Sequence, residues 1–118
     1  MMRIGELAAR TGVSRRSLRY YEKHGLLHAD RSANGWRVYR EAAVHRVRRI
    51  AELLNSGLTI EGVRRLAACL DMQNPSDCRD PGHALETYQA RLVILEERLA
   101  ALQRDRDKLT GAIRALRR

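Results

Sequence analysis

The chain has 118 residues, with 23 lysines and arginines against 14 aspartates and glutamates, for a formal net charge of +9. That length suggests one compact domain with a small appendage, and the charge points to a polyanionic partner such as nucleic acid. No apolar run could span a bilayer and no export leader opens the chain, so we expect a cytoplasmic protein without a membrane partner.

The positive charge is concentrated in the first part of the chain. Residues 1–70 hold 14 basic and 6 acidic side chains, whereas residues 71–118 hold 9 and 8. The first part is therefore the candidate binding surface, and the second part is expected to have another role.

Two short helices with a tight turn between them are predicted near the N-terminus. The first spans residues 4–11, and Gly12 is a usual residue just past a helix end. Ser14 is a good N-cap for a second helix over residues 15–24, which Gly25 ends. This arrangement matches a helix-turn-helix, although a pair of packed helices without a binding role fits the same pattern.

The second helix carries cations and a phenol on its exposed stripes. Arg15 and Arg19 are four residues apart, as are Arg16 and Tyr20, whereas Leu18 faces inward. Arginine can bind phosphate or guanine edges, and a tyrosine hydroxyl can donate to phosphate. A single surface arginine is usually only solvated, but this clustering favours a contact with duplex DNA.

A small hairpin is predicted over residues 28–40. Asn34-Gly35 is a strong turn dipeptide, and the four residues after it alternate as in a short strand. Such a hairpin would form a wing beside the helix-turn-helix. Its candidate DNA contacts are Arg31, Trp36, Arg37 and Tyr39, with Arg40 beside them. The alternative for Trp36 and Tyr39 is that they only cover the core.

Two further helices are predicted over residues 41–55 and 60–70, the second capped by Thr59. Their arginines are interpreted mainly as solvated charges.

After a polar loop, apolar residues recur at alternating steps of three and four. They are Leu85, Tyr88, Leu92, Leu95, Leu99, Leu102, Leu109, Ile113 and Leu116. The pattern is interrupted once, where Arg106 holds a core position. It is typical of a coiled-coil seam of about five heptads. A helix that long cannot bury its stripe on so small a head, so we predict that it pairs with the same helix of a second copy. The spacing does not set the orientation of the pair.

Three segments together resemble the MerR family of bacterial transcription regulators. "IGELAARTGVSRRSLRYYEKHGLL" is similar to the family's first two helices, "RSANGWRVY" to its wing and "LLNSGLTIEGVRRL" to the helix pair that follows. The resemblance implies a mainly α fold: a winged helix-turn-helix DNA-binding domain over 1–70 with a small β-hairpin, a loop over 71–82, and an antiparallel coiled-coil dimerisation helix over 83–118.

The same resemblance implies roles for individual residues. Ser14, Arg16, Arg19 and Tyr20 fall on the family's recognition-helix contacts, and the four candidate residues of the hairpin fall on its wing. Trp36 stands where a tyrosine is usual, which keeps the bulk and loses the hydroxyl. Such homodimers bind a pseudo-palindromic promoter operator and distort it, so that RNA polymerase, an indirect partner, can engage the promoter.

The input signal is left open by the sequence. Cys69 and Cys78, with His83 nearby, could hold Zn(II) or Cu(I), or the two thiols could form a redox disulfide. The structural alternative is that Cys69 is a small buried hydrophobe and Cys78 a plain loop thiol. The sequence therefore favours a regulator that needs no effector or one that binds an organic molecule at the dimer cleft, and no cofactor or metal is assigned.

Two other classes of function also fit the sequence. One is a metal- or thiol-responsive sensor of the same family, with the same fold, that senses through Cys69 and Cys78. The other is a coiled-coil adaptor whose basic head binds protein or RNA. An enzyme is not expected, because no Gly-rich phosphate loop or nucleophile–histidine spacing is present in the sequence.

Overall fold

The computed structural model describes residues 1–71, 78 and 81–118. Over these residues the chain forms α1 (Ile4–Thr11), α2 (Arg15–Lys23), β1 (Asp30–Arg31), β2 (Arg37–Val38), α3 (Ala42–Asn55), α4 (Ile60–Arg65) and α5 (Pro81–Leu116), with a 3₁₀ turn at Ala67–Cys69 after α4. The molecule measures 74 × 34 × 20 Å, because α5 extends far beyond the head formed by residues 1–71. This is the predicted mainly α fold with a hairpin and a long final helix.

The first two helices form the predicted helix-turn-helix. The N–H of Gly12 donates to the carbonyl of Ala8 and closes α1 at 2.9 Å. Ser14 caps α2, because its Oγ accepts a hydrogen bond from the Ser17 N–H at 3.1 Å. The second helix ends at Lys23, one residue before the predicted end. The turn therefore forms from local capping contacts that are visible in the sequence.

The wing is an antiparallel pair of short strands, and residues 33–35 form a three-residue loop inside the backbone pair of Ser32 with Trp36 that extends the ladder. The Ser32 N–H donates to the Trp36 carbonyl at 2.8 Å, and the Gly35 N–H donates to the Ser32 carbonyl at 2.9 Å. Gly35 has a φ of 78°, whereas Asn34 does not adopt a positive φ. Only the glycine of the predicted turn dipeptide thus uses the left-handed region, as expected of a three-residue loop.

The N-terminus adds a short extended segment to the other side of β2, which the sequence did not indicate. Met2 and Tyr39 exchange two backbone hydrogen bonds, of 2.9 and 2.7 Å. Both side chains lie in the core, and Tyr39 has no exposed surface. The wing is consequently anchored by the start of the chain as well as by its own hairpin.

A carboxylate on α2 ties the recognition side of the head to the wing. Glu22 accepts one hydrogen bond from the Tyr39 hydroxyl and another from Nη1 of Arg37 at 2.9 Å. Its side chain is only 13% exposed. The pKa of Tyr39 is raised to about 12, first because burial disfavours the phenolate and second because the hydroxyl donates to Glu22.

The predicted helix over 60–70 is wrong in its second half. Thr59 caps α4 as expected, accepting from the Gly62 N–H at 3.2 Å. The helix then ends at Arg65, and a 3₁₀ turn follows. The tighter turn leaves Leu66 and Leu70 both buried, at 4% and 1% exposed, which suits packing against neighbouring helices.

Two arginines expected to be solvated belong instead to the framework. Nε of Arg46 donates to the Leu26 carbonyl at 2.5 Å, and its guanidinium pairs with Asp71 at 3.0 Å. Nη2 of Arg48 donates to the carbonyl of Arg10 near the end of α1, at 2.8 Å. These contacts satisfy backbone carbonyls that would otherwise lack partners.

The first half of α5 packs on the head, and its second half leaves the head. Thr87 is buried, and Nε of Arg91 donates to the Gly57 carbonyl at 2.5 Å. Gly57 has a φ of 103°, and Leu95 Cδ1 lies 3.2 Å from where a Cβ on that glycine would stand. Residues 102–118 are exposed along their whole length.

The helix begins at Pro81, two residues before the predicted start. Most of the predicted loop over 71–82 lies outside the described residues, so the division into three segments stays a prediction. Among the residues described, none of the helices combines the length and apolar character that a bilayer crossing requires.

Tyr39 should ionise well above the ordinary range of a tyrosine in the folded chain. Its folded pKa of about 12 lies above the ordinary value of about 10, so the unfolded chain loses this proton first. The stability contributed by the neutral phenol should therefore fall as pH rises from about 10 to about 12. Absorbance titration of phenolate should show a step near pH 12 that Tyr39→Phe removes and Tyr20→Phe retains. A step that persists in Tyr39→Phe would contradict the assignment.

Candidate nucleic-acid interface

The exposed side of α2 carries the predicted cations. Arg15, Arg16, Arg19 and Lys23 are exposed, and Tyr20 keeps 46% of its surface accessible. Over the described part of the chain, none of these four cations takes part in an ion pair. They are therefore available to an external polyanion.

Core packing fixes the orientation in which α2 presents its row of exposed cations, Arg15, Arg16, Arg19 and Lys23. Leu18 is fully buried and Tyr21 is 5% exposed, so the opposite face of the helix is embedded in the core. Arg15 lies back over α1, where its Nη2 is 2.7 Å from the position that a Cβ on Gly5 would occupy. Any side chain at position 5 would displace this guanidinium.

The wing presents three further cations, each oriented by a contact. Nη1 of Arg31 donates to the Gly35 carbonyl at 2.9 Å. Arg37 is 54% exposed while it pairs with Glu22. Arg40 pairs with Asp30 at 2.8 Å. Because Arg31 and Arg37 stand opposite each other on β1 and β2, their positive charges are held together beside α2.

Trp36 lies on the surface of the wing and does not cover the core. It is 51% exposed, and the guanidinium carbon of Arg3 stacks 4.1 Å from the centroid of its ring. Arg3 was not among the predicted site residues. Its position follows from the pairing of Met2 with Tyr39, a long-range contact that no local sequence pattern indicates.

Tyr39 has to be corrected as a candidate DNA contact. Its side chain is fully buried and its hydroxyl donates to Glu22. The structural alternative therefore holds at this position, and Tyr39 acts by holding the wing on α2.

Ser14 and Tyr20, which flank the exposed cations of α2, each contact a side chain of the same helix region. Ser14 is exposed, although its hydroxyl also donates to Ser17 Oγ at 3.0 Å in the helix cap. The ring of Tyr20 meets the ring of His24 edge-on, with centroids 4.4 Å apart. This contact restricts the ring and directs the phenol outward, beside Arg16 and Arg19.

The cysteines differ from the expectation in burial, and they form the disulfide that the sequence left open as one alternative. Cys78 is the buried one, at 7% exposed, whereas Cys69 is partly accessible. The two are joined by a disulfide, which leaves neither sulfur available as a thiolate ligand. Within its described residues the structure shows no group of three side chains that could hold a metal ion.

The geometry of the remaining residues suits a double helix. An α-helix fits the major groove of B-DNA, which is about 12 Å wide, and arginine can bind the guanine edge there with two hydrogen bonds. The wing cations lie to one side of α2, where a duplex docked on the helix would present its phosphate backbone. The head thus offers one helix for bases and one hairpin for phosphates.

Comparison with known proteins agrees with this geometry. A family model described as "MerR HTH family regulatory protein" matches residues 2–69. The chain is 34% identical over 110 residues to an HTH-type transcriptional activator SoxR homolog of Chromobacterium violaceum, covering 93% of this chain and 72% of that protein.

Solved structures resemble the chain over most of its length. The transcription regulator PbrR691 of Ralstonia metallidurans CH34, solved with lead(II), aligns with a TM-score of 0.67 and 28% identity, covering 89% of this chain and 81% of that one. HiNmlR, a MerR family regulator lacking the sensor domain and bound to promoter DNA, aligns with a TM-score of 0.58 and 23% identity. The alignment covers 89% of this chain and 77% of that one, and it supports the fold alone. The chain therefore belongs to the MerR family of helix-turn-helix transcription regulators.

Proposed function

We propose that two copies of this regulator bind one pseudo-palindromic promoter operator, each placing α2 in a major groove and its wing against the adjoining backbone. The observation that carries the proposal is the row of exposed cations on α2, which lack an ion-pair partner within the described residues. Arg16 and Arg19 are assigned to base edges. Ser14, Arg15, Tyr20, Arg31, Trp36 and Arg37 are assigned to the backbone, with Arg3 added.

The link through Glu22 supports a rigid two-part docking surface. Because Glu22 holds both Arg37 and Tyr39, the wing cannot move freely relative to α2. A preorganised surface loses little conformational entropy on binding, which favours affinity. Arg37 keeps half of its surface exposed in this pair, so it can contact a phosphate without leaving Glu22.

The free half of α5 supports pairing with a second copy. Its apolar side chains are largely exposed beyond the head: Leu99 56%, Leu102 66%, Leu109 67%, Ile113 49% and Leu116 86%. An exposed apolar stripe of this kind on an isolated helix is unfavourable in water and marks an interaction surface. A matching stripe on a second α5 would cover it.

The spacing of the seam supports an antiparallel pair. When position 106 is included, the core positions from 85 to 116 are separated by alternating steps of three and four residues that begin and end with a step of three. The order of steps is therefore the same from either end. In an antiparallel pair centred between Leu99 and Leu102, Leu99 therefore meets the partner's Leu102, and each end of the seam meets the opposite end. Every core position falls on a core position, with the a and d layers that heptads require.

Arg106 argues against the parallel alternative. A parallel pair would place Arg106 directly against the partner's Arg106 in one core layer, burying two like charges. The antiparallel pair places it against the partner's Leu95, where the long aliphatic stem can pack and the guanidinium can reach water. Arg98 would also lie near the partner's Asp105 along one flank, so that opposite charges pair twice across the dimer.

This dimer places two heads at opposite ends of a long coil. Two such heads can hold a duplex at separated sites and deform the DNA between them, at a cost of a few kcal/mol offset by backbone contacts. We infer that this is how polymerase access to the promoter is controlled, in the cytoplasm and without a resident cofactor. An adaptor that binds protein or RNA is the weaker reading, because it leaves the fixed pairing of α2 with a wing unexplained.

Arg16→Ala should weaken operator binding by roughly 5- to 150-fold, because a guanine contact by arginine contributes about 1–3 kcal/mol. Fluorescence anisotropy with promoter fragments selected from the source genome measures this. Arg64→Ala is the matched control: it removes the same charge from an exposed arginine on α4 that pairs with Glu61. Equal affinity of the two variants would remove α2 from the interface.

Leu99→Asp should dissociate the dimer, because both central layers would then bury a carboxylate against leucine. Light scattering should show the mass of one chain. Val93→Asp is the control, since Val93 is equally exposed, at 55%, but lies outside the seam. A dimer that survives Leu99→Asp would refute the seam.

The orientation of the coil can be measured directly. With both cysteines replaced by serine and Arg118→Cys carrying a spin label, the antiparallel pair should give a label separation of about 50 Å, from 1.5 Å per helical residue. A parallel pair would bring the two labels close together. A short distance would overturn the antiparallel arrangement while leaving dimerisation intact.

A further inference from the structure

The two cysteines join parts of the molecule that the proposed function must hold in a fixed relation. Cys69 ends the 3₁₀ turn of the head, and Cys78 lies three residues before the first residue of α5. Their Cα atoms are 5.1 Å apart, within the range that a disulfide spans, and the sulfurs are bonded. The bond therefore fastens the entry of α5 to the head.

Cys69 also lies where α3, the 3₁₀ turn and α5 meet. It lines a cavity of about 20 Å³ with Arg49 and Leu53 of α3, Leu66 and Leu70 around the 3₁₀ turn, and Ala84 and Tyr88 of α5. That volume holds about one water molecule, which leaves little room for an organic molecule beside Cys69. A chemical change of the thiol is thus the kind of signal that this position can receive.

We propose that Cys69 and Cys78 form a peroxide-responsive thiol pair that reversibly clamps α5 onto the head. A bacterial cytoplasm keeps most thiols reduced, so a disulfide there is typically transient and sensory. The Cys69 thiolate attacks one oxygen of hydrogen peroxide and breaks the O–O bond, which gives a sulfenic acid and a hydroxide that takes up a solvent proton to become water. The Cys78 thiol then displaces the sulfenic hydroxyl as a second water, forming the disulfide, and a cellular dithiol reduces it again.

The surroundings assign the two thiols different roles. Cys69 is partly accessible, whereas Cys78 is 7% exposed, so peroxide reaches Cys69 first and Cys78 resolves the sulfenic acid. Arg49 lines the same cavity as Cys69 while its guanidinium pairs with Glu52 at 3.3 Å, and a cation near a thiol favours the reactive thiolate.

The clamp acts on the element that separates the two heads of the dimer. Without the disulfide, Thr87, Arg91 and Leu95 still hold α5 on α4 and Gly57, but the entry to α5 is no longer tied. The oxidised form is therefore the more rigid one. Its effect on DNA rests on the proposed function: oxidised dimers should bind the operator several-fold more tightly than reduced ones, because less freedom is lost on binding.

Bond formation is tested by intact mass of the full chain after hydrogen peroxide and then N-ethylmaleimide under denaturing conditions. Untreated, reduced chain should take up a label on each of its two cysteines. Peroxide-treated chain should take up none and stay a single chain on a non-reducing gel. Full labelling after peroxide, or disulfide-linked dimers, would overturn the proposal.

The role of Arg49 is tested by the rate of sulfenic acid formation in Cys78→Ser, followed with a dimedone probe. Arg49→Gln should slow this reaction several-fold. Arg64→Gln is the matched control, because Arg49 and Arg64 each pair with a glutamate three residues away, at 3.3 and 2.8 Å, and Arg64 does not line the cavity. Equal rates would remove Arg49 from the site.

Coupling to DNA is measured as operator affinity of the oxidised and reduced chain, with Cys69→Ser and Cys78→Ser as controls that should ignore peroxide. Equal affinity of the oxidised and reduced wild type would overturn the clamp as a regulatory device. If no form binds DNA while the disulfide still forms, the proposed function fails and the thiol chemistry stands. The two failures are therefore distinguishable.

Discussion

The interaction of Glu22 with Tyr39 and Arg37 is the constraint on which the binding surface depends. One carboxylate on α2 accepts hydrogen bonds from two groups of the hairpin, and it does so at 13% exposure. Hydrogen bonds to a charged group contribute roughly 1.5–3 kcal/mol, and more is lost when the partner is left buried and unpaired. The wing and α2 are therefore one rigid unit, which allows a helix and a hairpin to address a single duplex. The burial of Tyr39 and its pairing with Met2 extend this unit to the N-terminus, and so bring Arg3 onto Trp36.

The long helix α5 divides into two parts with different partners. Its first part belongs to the head, because Arg91 and Leu95 meet the loop at Gly57. Its second part carries the same heptad pattern into solvent, where only a second chain can cover it. The helix thus transmits the position of one head to the other as a stiff rod, and the disulfide lies at the point where rod and head join. In the proposed dimer, a change of that single bond alters this joint in both subunits.

The arginines show why net charge indicates a partner without identifying the site. Arg16 and Arg46 contribute equally to the charge of the basic head, and sequence pattern assigned Arg16 to the DNA-contacting helix but left Arg46 as a solvated charge. In the folded head, Arg46 binds the Leu26 carbonyl and Asp71, while Arg16 points outward without an ion pair in the described residues. Several charges of the basic head therefore act as framework, and the binding surface is a subset that tertiary contacts leave available.

The amino-acid sequence by itself determined the features that depend on local chemistry. The helix-turn-helix, the caps at Ser14 and Thr59, the glycine turn of the wing and the heptad stripe each follow from contacts within a few residues, so periodicity and capping rules predict them. Only the tertiary structure decided that Tyr39 is core, that Trp36 is exposed and stacked by Arg3, that Cys78 is the buried cysteine, and that the helix after Thr59 tightens at Leu66. These outcomes depend on residues distant in the chain that compete for the same space, and that competition leaves no periodic signal in the sequence.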